Sequence, residues 1–524
     1  MLNADLSVVG CRMNRSKTLL FLPALLLAAL TLSSCSGPKG VVCTVNCGGG
    51  GHANLSFTLV ADTLPAHPSI LSFKVVVLGV TVTSSTATLT LTPPSSPFDL
   101  MQLQSDSAFL GTLTNVPSET ISSLSIALSA QQLTFLNDTG VALTNPVCAI
   151  NAICSFNPGT ITSVLINNLS QVFSANTGLG LDFNIANAIT LTGTTLTVNF
   201  NNSGTTNVLT SFLLPRTNSN LAAGQLDLIE DFTGVVSLNG QNATITSLSH
   251  GTLTAAATSS TNFDTDPSGA LCPITTKQSL ATCVSNNQVA SMDAVLNSDG
   301  TLSIREIEPL IATQQDTVQG IVTFINSANQ TQFTILTTDK LNAVTGTLIG
   351  PLNVGDFLTV NLANAGTLKP FFVDTKGLPV GSFAAGTLGN FQNQTSTSAI
   401  HLGQSVLIHV TAFTAASGTT FASVVADTVT LRWSRFATAA QAASSPTFTL
   451  VGLPSYFGFA QGSLFGVQTF TGTPGADGVT NFDGVTDGTG LKASTPPVAL
   501  RALFLENTTN TANPVFFAAK VRQH

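Results

Sequence analysis

Residues 86–92 read Thr-Ala-Thr-Leu-Thr-Leu-Thr, so that every second side chain is apolar and the others carry a hydroxyl. A period of two places one set of side chains on each face of an extended strand, which predicts a half-buried β-strand. The same alternation recurs at 124–129 (Leu-Ser-Ile-Ala-Leu-Ser) and at 196–200 (Leu-Thr-Val-Asn-Phe). Turn-forming clusters separate these stretches. We therefore expect residues 53–222 to form an antiparallel β-sandwich; only 163–176 has a spacing that approaches a helical one.

The second half of the chain contains segments that repeat. Residues 232–236 (Phe-Thr-Gly-Val-Val) are similar to 318–322 (Val-Gln-Gly-Ile-Val), and 287–289 (Asn-Gln-Val) is similar to 404–406 (Gln-Ser-Val) and to 354–357 (Val-Gly-Asp-Phe). Repetition at this scale indicates related supersecondary units. The units resemble an uncharacterised secreted domain that often occurs in tandem.

The resulting fold prediction is all-β, with an N-terminal antiparallel sandwich followed by two or three small barrel-like units. After the sandwich, residues 223–315 are predicted to form a first small β-unit and residues 316–445 a second and a third. Residues 446–524 are predicted to form a C-terminal β region.

The charge content of the chain is low for its length. Of its 524 residues 43% are hydrophobic and only 8% are charged, against about a quarter in average proteins. Thr, Ser, Asn and Gln take the place of charge, and no Lys or Arg occurs between Lys74 and Arg216. With a formal net charge of −8, such a surface cannot neutralise phosphates, so we expect no nucleic-acid partner.

The N-terminus has the three zones of an export signal. Basic residues precede the apolar run at 18–32, and Leu32-Ser33-Ser34-Cys35 follows directly. The run is shorter than the roughly 20 residues that a spanning helix needs. Leu32 to Cys35 resembles the lipobox of bacterial lipoproteins, which implies cleavage before Cys35 and lipid on its thiol. A buried N-terminal helix and an uncleaved membrane anchor are the alternative interpretations.

The predicted signal peptide covers residues 1–35, and Met13 is an alternative start. Residues 36–52 are then a tether that contains Gly48 to Gly51. Ser36 follows the cysteine where, in similar lipoproteins, an aspartate favours the inner membrane. The expected location is therefore the cell envelope, at the outer membrane of a Gram-negative bacterium.

A second resemblance lies within the predicted sandwich. Phe98-Asp99-Leu100-Met101-Gln102-Leu103 is followed by Leu110-Gly111, by Val116-Pro117 and by the alternating stretch 121–126. This order resembles the domain of unknown function in bacterial envelope lipoproteins, although a proline-glycine-x-tyrosine turn is missing here. The resemblance implies a prealbumin-like β-sandwich over about 53–222. It implies no activity, because the family has none established.

Eight cysteines divide by position. Cys11 lies in the signal and Cys35 is the lipid site. An exported protein can form disulfides, and the remaining six fall into local couples. No histidine stands at ligand spacing beside them, which disfavours zinc as the alternative. The expected disulfides are Cys43–Cys47, Cys148–Cys154 and Cys272–Cys283.

Two loops contain oxygen ligands that suit calcium. In the first, at 297–306, the position of the first ligand falls on Val295, so a hairpin turn at Asp299-Gly300 is favoured. The second loop is at 477–487, and there a series of solvated Asp-Gly turns is the favoured alternative. The weak calcium candidates there are Asp477, Asn481, Asp483 and Asp487.

No catalytic constellation is recognisable. The six histidines are scattered, and His401 and His409 are expected on one strand. Glu306 and Glu308 share a strand face, where Arg305 and Glu306 are expected to form a solvated rim. We predict no cofactor and no catalytic residue. The lone tryptophan, Trp433, gives little support to a lectin.

The functional prediction is a lipid-anchored cell-envelope protein with a structural or interaction role and no catalysis. Its partners would be the membrane, through the lipid on Cys35, and an unidentified envelope or extracellular protein or glycan. The alternative is an extracellular module that binds a glycan or calcium, and an enzyme ranks third.

Overall fold

The computed structural model describes residues 52–523 apart from 95, 160, 203–206, 218, 220, 274–278, 313–314, 343–347, 364–369, 377, 379–386, 445–446, 474–477, 492–496 and 506–513. The predicted signal, the lipid site at Cys35, the tether and the Cys43–Cys47 couple lie outside the described residues. The described part is all-β, as predicted, with a sandwich followed by small barrels.

The sandwich consists of two main sheets and two short ladders. One sheet has the strand order β14-β11-β1-β5, and the other has the order β10-β6-β2-β3, with β4 beside β2 and β9 beside β6. The strands are β1 His52–Asp62, β2 Ser69–Ser84, β3 Thr88–Leu91, β4 Phe98–Asp99, β5 Ala108–Pro117, β6 Thr120–Leu136, β7 Leu143–Thr144, β8 Val147–Cys148, β9 Ile153–Phe156, β10 Ile161–Val172, β11 Thr177–Asn184, β12 Ile189–Thr192, β13 Thr195–Val198 and β14 Leu209–Leu214.

The alternation of side chains decides which face of each strand is buried. Leu89 and Leu91 of β3 lie in the core, whereas Thr88 and Thr90 are exposed. β10 occupies 161–172, where a helical spacing had been noted, because its residues pair in register with β6. The β1–β11 pair is parallel, which is an exception to the antiparallel sandwich predicted.

One outer surface of the sandwich has a group of hydroxyl side chains on neighbouring strands, and we call this group the hydroxyl face. Cross-strand pairing places Thr81 beside Thr90 and beside Ser125, and Thr81 and Thr90 approach to 3.1 Å between their hydroxyl oxygens. The hydroxyl face consists of Thr81, Thr83, Thr88, Thr90, Ser123, Ser125 and Ser163.

Three five-stranded barrels follow the sandwich. Barrel 1 comprises β15 Gln225–Asn239, β16 Asn242–Ser247, β17 Gly251–Phe263, β18 Val289–Asn297 and β19 Leu302–Ile311. Barrel 2 comprises β20 Asp316–Ile325, β21 Gln332–Asn342, β22 Phe357–Leu362, β24 Ser405–Thr414 and β25 Ala422–Arg432, with β23 Phe371–Val373 beside β25. Barrel 3 comprises β26 Ser434–Ser444, β27 Thr447–Val451, β28 Leu464–Gln468, β30 Val498–Leu505 and β31 Val515–Gln523, with β29 Asn481–Asp483 beside β31.

All three barrels have the same topology. In each, the first strand pairs with the second and the fourth, and the third pairs in parallel with the fifth, which closes the ring. A short helical segment stands between the third and fourth strands of each barrel. This is the arrangement of a five-stranded Greek-key barrel of the OB type. The segments in question are α2 Leu280–Cys283, α3 Thr387–Gln392 and the 3₁₀ turn Gly488–Gly490, and α1, Ile185–Ala188, belongs to the sandwich.

The predicted repeat corresponds to matching hydrogen bonds in barrels 1 and 2. The amide of Val236 donates to the carbonyl of Gln288, and the amide of Val322 donates to that of Gln404, both at 2.9 Å. The third segment thought equivalent, 354–357, instead leads into the third strand of barrel 2. Along the chain, Trp433 is the single residue between the last strand of barrel 2 and the first strand of barrel 3. The strand at 434–444 pairs with β30 and therefore belongs to barrel 3.

Candidate functional site

Charged side chains are few in this protein, yet many of those that the structure describes are buried. Most belong to one connected network in which the sandwich and all three barrels meet, and we call it the ionic junction. Its members are Asp106, Glu230, Asp231, Asp293, Glu308, Asp374, Lys376, Arg432, Arg435, Asp483, Arg501, Lys520 and Arg522.

Asp231 lies at the centre of the ionic junction because β15 bulges there. Ile229 pairs with Ala294 and Phe232 with Met292, so β15 contains one extra residue, and Asp231 takes a φ of 52°. Aspartate tolerates this left-handed conformation better than most residues. Arg432 donates to Asp231 at 2.6 Å, and Arg435 donates to the other carboxylate oxygen. The bulge thus directs one carboxylate at two arginines that flank the Trp433 connection.

Glu230, the neighbouring residue of the bulge, binds barrel 3. Arg501 donates to one of its carboxylate oxygens at 2.9 Å, and Lys520 contacts the other at 2.7 Å. The amide of Asn481 also donates to Glu230, at 3.0 Å. Two adjacent acidic residues of barrel 1 therefore hold basic residues from two other barrels.

The sandwich joins the ionic junction through the segment that follows its 3₁₀ turn at Gln102–Gln104. Asp106 accepts from Arg435, and Arg522 donates to the carbonyl of Asp106 at 2.8 Å and to the hydroxyl of Ser107 at 3.0 Å. Arg522 also donates to Asp483 at 2.7 Å. The segment that leads into β5 of the sandwich therefore meets β31, the last strand of the described fold.

Barrel 2 supplies both signs of charge. Lys376 forms an ion pair with Asp293 of barrel 1 and donates to the hydroxyl of Ser291 at 2.9 Å. Arg432 forms an ion pair with Asp374 of its own barrel. Barrel 1 thus contributes only acidic residues to the ionic junction, and the basic residues of the junction come from barrels 2 and 3.

The pKa values of the carboxyls in the ionic junction depend on burial and on the nearby basic residues. Burial opposes ionisation of Asp231, but Arg432, Lys376 and Arg435 outweigh it and hold its pKa well below the ordinary value. Burial likewise opposes ionisation of Asp483, whose pKa is nevertheless lowered to about 2 by Arg522. Glu308 is the opposite case, since burial raises its pKa well above the ordinary value. The ionic junction is thus a set of charge pairs together with one carboxyl, that of Glu308, whose pKa is raised by burial.

A smaller buried cluster links the sandwich with barrels 1 and 2. Lys74 donates to the carbonyls of Leu248 and Thr338, and it lies 3.7 Å from Asp99. Asp339 accepts from the hydroxyls of Ser247 and Ser249. Burial lowers the pKa of the adjacent His250 to about 4, so the imidazole is neutral.

Because this cluster places serine, histidine and aspartate together, it invites comparison with a hydrolase triad. The hydroxyl of Ser249 lies 3.1 Å from Nδ1 of His250 and 2.9 Å from Asp339. A triad needs the imidazole between nucleophile and carboxylate. Here the hydroxyl lies between the ring and the carboxylate, and all three side chains are buried. The arrangement serves packing between units.

The structure does not bring the second set of calcium candidates together. Asp483 pairs with Arg522, Asn481 donates to Glu230, and Asp487 accepts from the amides of Thr489 and Gly490 at the start of a 3₁₀ turn. Asp477 lies outside the described residues. Within the described ranges no group of three or more His, Cys, Asp or Glu side chains is placed to hold a metal ion.

The first calcium loop is a hairpin turn between β18 and β19, the alternative favoured from the sequence. The amide of Gly300 donates to the carbonyl of Asn297, and Asp299 accepts from Thr301. The expected solvated rim is wrong, because Glu306 and Glu308 are only 4% and 1% exposed. Their strand faces barrel 2, where Lys376 lies near both carboxyls, but at Glu308 the effect of burial on the pKa exceeds that of the nearby bases.

The described cysteines form disulfides, and His401 and His409 contact other side chains of the fold. Disulfides link Cys148 to Cys154 and Cys272 to Cys283, the two expected couples within the described part. His401 precedes β24 whereas His409 lies on it, so the two do not share a strand as expected. The ring of His401 packs against Phe504 at a tilt of 36°, and His409 contacts Asp427.

Two open grooves lie between units. One, of about 440 Å³, separates the sandwich from barrel 3 and is lined largely by apolar residues such as Leu64 and Leu453. The other, of about 320 Å³, lies between barrels 1 and 2 and has a mixed lining that includes Phe372 and His409. Small-molecule sites are concave and usually have such a mixture, at about 300–1,000 Å³.

Comparisons of the chain with known protein families, curated proteins and solved structures found no match. Among the described residues, no helix combines the length and the apolar character needed to cross a membrane.

Sequence reasoning missed the ionic junction. A usable signal was the occurrence of charge inside apolar strands of a chain that is otherwise poor in charge. The examples are Arg432 and Arg435 around Trp433, Arg501 within Val498–Leu505, and Arg522 within Val515–Gln523.

Proposed function

We propose that the protein is a lipid-anchored, non-catalytic scaffold of the cell envelope. The observation that supports the scaffold role is the ionic junction, in which the sandwich and three barrels share buried charge pairs. Removing one partner of a buried pair leaves an unpaired charge, so the units are held in one arrangement. A rigid body of this kind suits a protein that presents surfaces to partners.

The same network supports the absence of catalysis in this proposal. A general acid or base must reach a substrate. Asp231, Glu230 and Glu308 are carboxylates of the ionic junction with strongly shifted pKa, and all three are buried and face other parts of the chain. Their shifted pKa values are therefore explained by packing between units.

The envelope location rests on Leu32-Ser33-Ser34-Cys35 after the apolar run. Ser36 favours the outer membrane within this proposal. The hydroxyl face is compatible with export, since it is hydrated without charge. The membrane would be contacted through the lipid on Cys35, and protein or glycan partners would be contacted by the folded part.

The anchor is tested by replacing Cys35 with Ala and following membrane association and acylation. We expect wild type in the membrane fraction with an acyl mass on Cys35, and Cys35→Ala released or unprocessed. Cys11→Ala is the matched control and should change neither result. Absence of any acyl chain from wild-type protein would contradict the proposal.

The second candidate is an extracellular ligand-binding module, favoured by the open groove between barrels 1 and 2. Of the two ligand classes expected from the sequence, the donor set of the groove suits a glycan. Calcium is less suited, since Asp483 and Asn481 bind protein groups in the ionic junction.

A further inference from the structure

The groove between barrels 1 and 2 has an apolar wall and a polar wall. Barrel 1 forms the apolar wall with Leu310 at the end of β19 and with Leu271, next to the Cys272–Cys283 disulfide. Barrel 2 forms the polar wall with β23, β24 and β25. The disulfide holds the segment of Leu271 to barrel 1, and strand pairing fixes the order of the side chains on the barrel 2 wall.

Strand register places the barrel 2 side chains in one patch. His409 pairs with Thr428, and Phe372 pairs with Thr430. Because Thr428 and Thr430 are two residues apart on β25, they point to the same face. One half-buried aromatic ring, one imidazole and two hydroxyls therefore line the same side of the groove.

His409 is held in place by a carboxylate. Its Nδ1 lies 2.6 Å from Oδ1 of Asp427, which orients the ring and favours the tautomer with hydrogen on Nδ1. In the neutral ring Nε2 is then an acceptor. An oriented acceptor beside hydroxyls, which both donate and accept, matches a ligand that carries hydroxyls.

The charges around the groove disfavour an anionic ligand. Asp266 lines it, Asp427 adjoins it, and His409 is the only described lining residue able to carry a positive charge. The carboxylate of Asp266 is already bonded to the amide of Ser268 and to that of Leu271. The groups that remain for recognition are neutral, and the amide of Gln315 adds a donor and an acceptor.

We propose that this groove binds a neutral sugar residue, with the C–H face of the ring against Phe372 and the aliphatic wall. Its hydroxyls would be bound by His409, Thr428 and Gln315. A pyranose combines an apolar face with hydroxyls at its edge, which are the two surfaces that the walls offer. This inference rests on the second candidate function and assigns it a site.

The test uses the full chain and neutral mono- and oligosaccharides of glucose, mannose, galactose and N-acetylglucosamine, with binding measured by ligand-observed NMR up to about 10 mM. Ala270→Trp, at an exposed position on the rim, fills the groove without removing a core residue. Phe372→Ala removes the ring. We expect each to weaken binding at least about tenfold.

Phe324→Ala is the matched control, because Phe324 is 57% exposed on the same barrel but does not line the groove. It should leave binding unchanged, and thermal melts should show Ala270→Trp folded as wild type is. Sugar binding that survives Ala270→Trp would overturn the assignment of the site while the ligand-binding function stands. Failure of wild type to bind any neutral sugar, or tighter binding of acidic ones, would overturn the inference itself.

Discussion

The hydroxyl face and the ionic junction use polar side chains in opposite ways. On the hydroxyl face, Thr81, Thr90 and Ser125 present neutral groups to water. In the ionic junction, Arg432 and Arg435 are buried with Asp231. Soluble proteins usually have the reverse distribution, with charge outside. The comparison teaches that charge here specifies how units fit together, whereas hydroxyls maintain hydration.

The energetic consequences of the two regions also differ. A surface hydroxyl can exchange its partner for water at little cost, so single changes on the hydroxyl face are tolerated. A buried guanidinium has no such alternative, and losing its carboxylate leaves the full penalty of desolvation. The predictions below test this difference.

The largest effect is expected from Asp231→Ala, which leaves Arg432 and Arg435 without their shared carboxylate. We expect the free energy of unfolding to fall by about 3–5 kcal/mol in urea denaturation. Glu119→Gln removes an equal charge at a half-buried site outside the ionic junction, where the carboxylate accepts from hydroxyls, and it is the control with a smaller expected change. Equal losses in the two variants would mean that the ionic junction contributes no more than a surface acid does.

The next effect concerns Gly320, on the first strand of barrel 2, where a Cβ would meet the carbonyl of Leu336 and the side chain of Ile335. Gly320→Ala should destabilise the protein by about 1–3 kcal/mol through overpacking. At Gly466, also within a strand, a Cβ meets no described atom within 4 Å. Gly466→Ala should therefore be neutral or slightly stabilising, and thermal melts of both variants measure the contrast.

Acid should weaken the ionic junction over a defined range of pH. The pKa of Asp483 is about 2 in the folded protein and about 4 when unfolded, so the folded state binds fewer protons. Its contribution of about 2 kcal/mol is present above pH 4 and is lost as the pH falls to 2. Asp483→Asn should show a shallower loss of stability across this range. Parallel curves for the variant and wild type would contradict the assignment.

Asp62, which lies outside the ionic junction, should have the opposite effect on how stability depends on pH. Burial and the charge of Asp182 raise its pKa to about 7. The folded state therefore binds more protons, and its stability decreases as the pH rises from about 4 to 7. Asp62→Asn lacks this penalty, so it should be more stabilising at pH 8 than at pH 5. Denaturation at the two pH values measures the difference, and an equal effect at both would refute the raised pKa.

The smallest effects are expected on the hydroxyl face. Ser163→Lys and Thr90→Glu introduce charge at exposed positions. We expect each to change the free energy of unfolding by no more than about 0.5 kcal/mol, because no buried group loses a partner. A loss comparable to that of Asp231→Ala would remove the contrast between the two regions.

The fold class was predictable because it depends on local patterns. Alternation at 86–92 and 124–129 directly indicates which side chains lie on each face of a strand. The similarity between 232–236 and 318–322 indicates a repeated unit. Ring closure was not predictable, since the third and fifth strands of a barrel meet only after a long intervening segment. Barrel 3 lacks a recognisable copy of the repeated segment.

The site was much less predictable. Spacing rules led to Asp483 as a possible calcium ligand, but its partner, Arg522, is 39 residues away in sequence. Arg435 and Asp106 are separated by 329 residues. Glu306 was expected in a solvated rim with Arg305 because acidic residues are usually exposed. Residue type alone cannot show that Lys376 of barrel 2 faces Glu306 and Glu308.

The position of Asp231 in the chain has a consequence for the order in which the protein can mature. Arg432 comes 201 residues after Asp231, which at about 5–20 residues per second corresponds to a delay of about 10–40 s during synthesis. Barrel 1 is therefore complete in sequence while its acidic bulge still lacks both arginines. A chain that stops before residue 376 would contain the acids of barrel 1 and none of the bases of the ionic junction, and Lys376 would be the first base to reach Asp231.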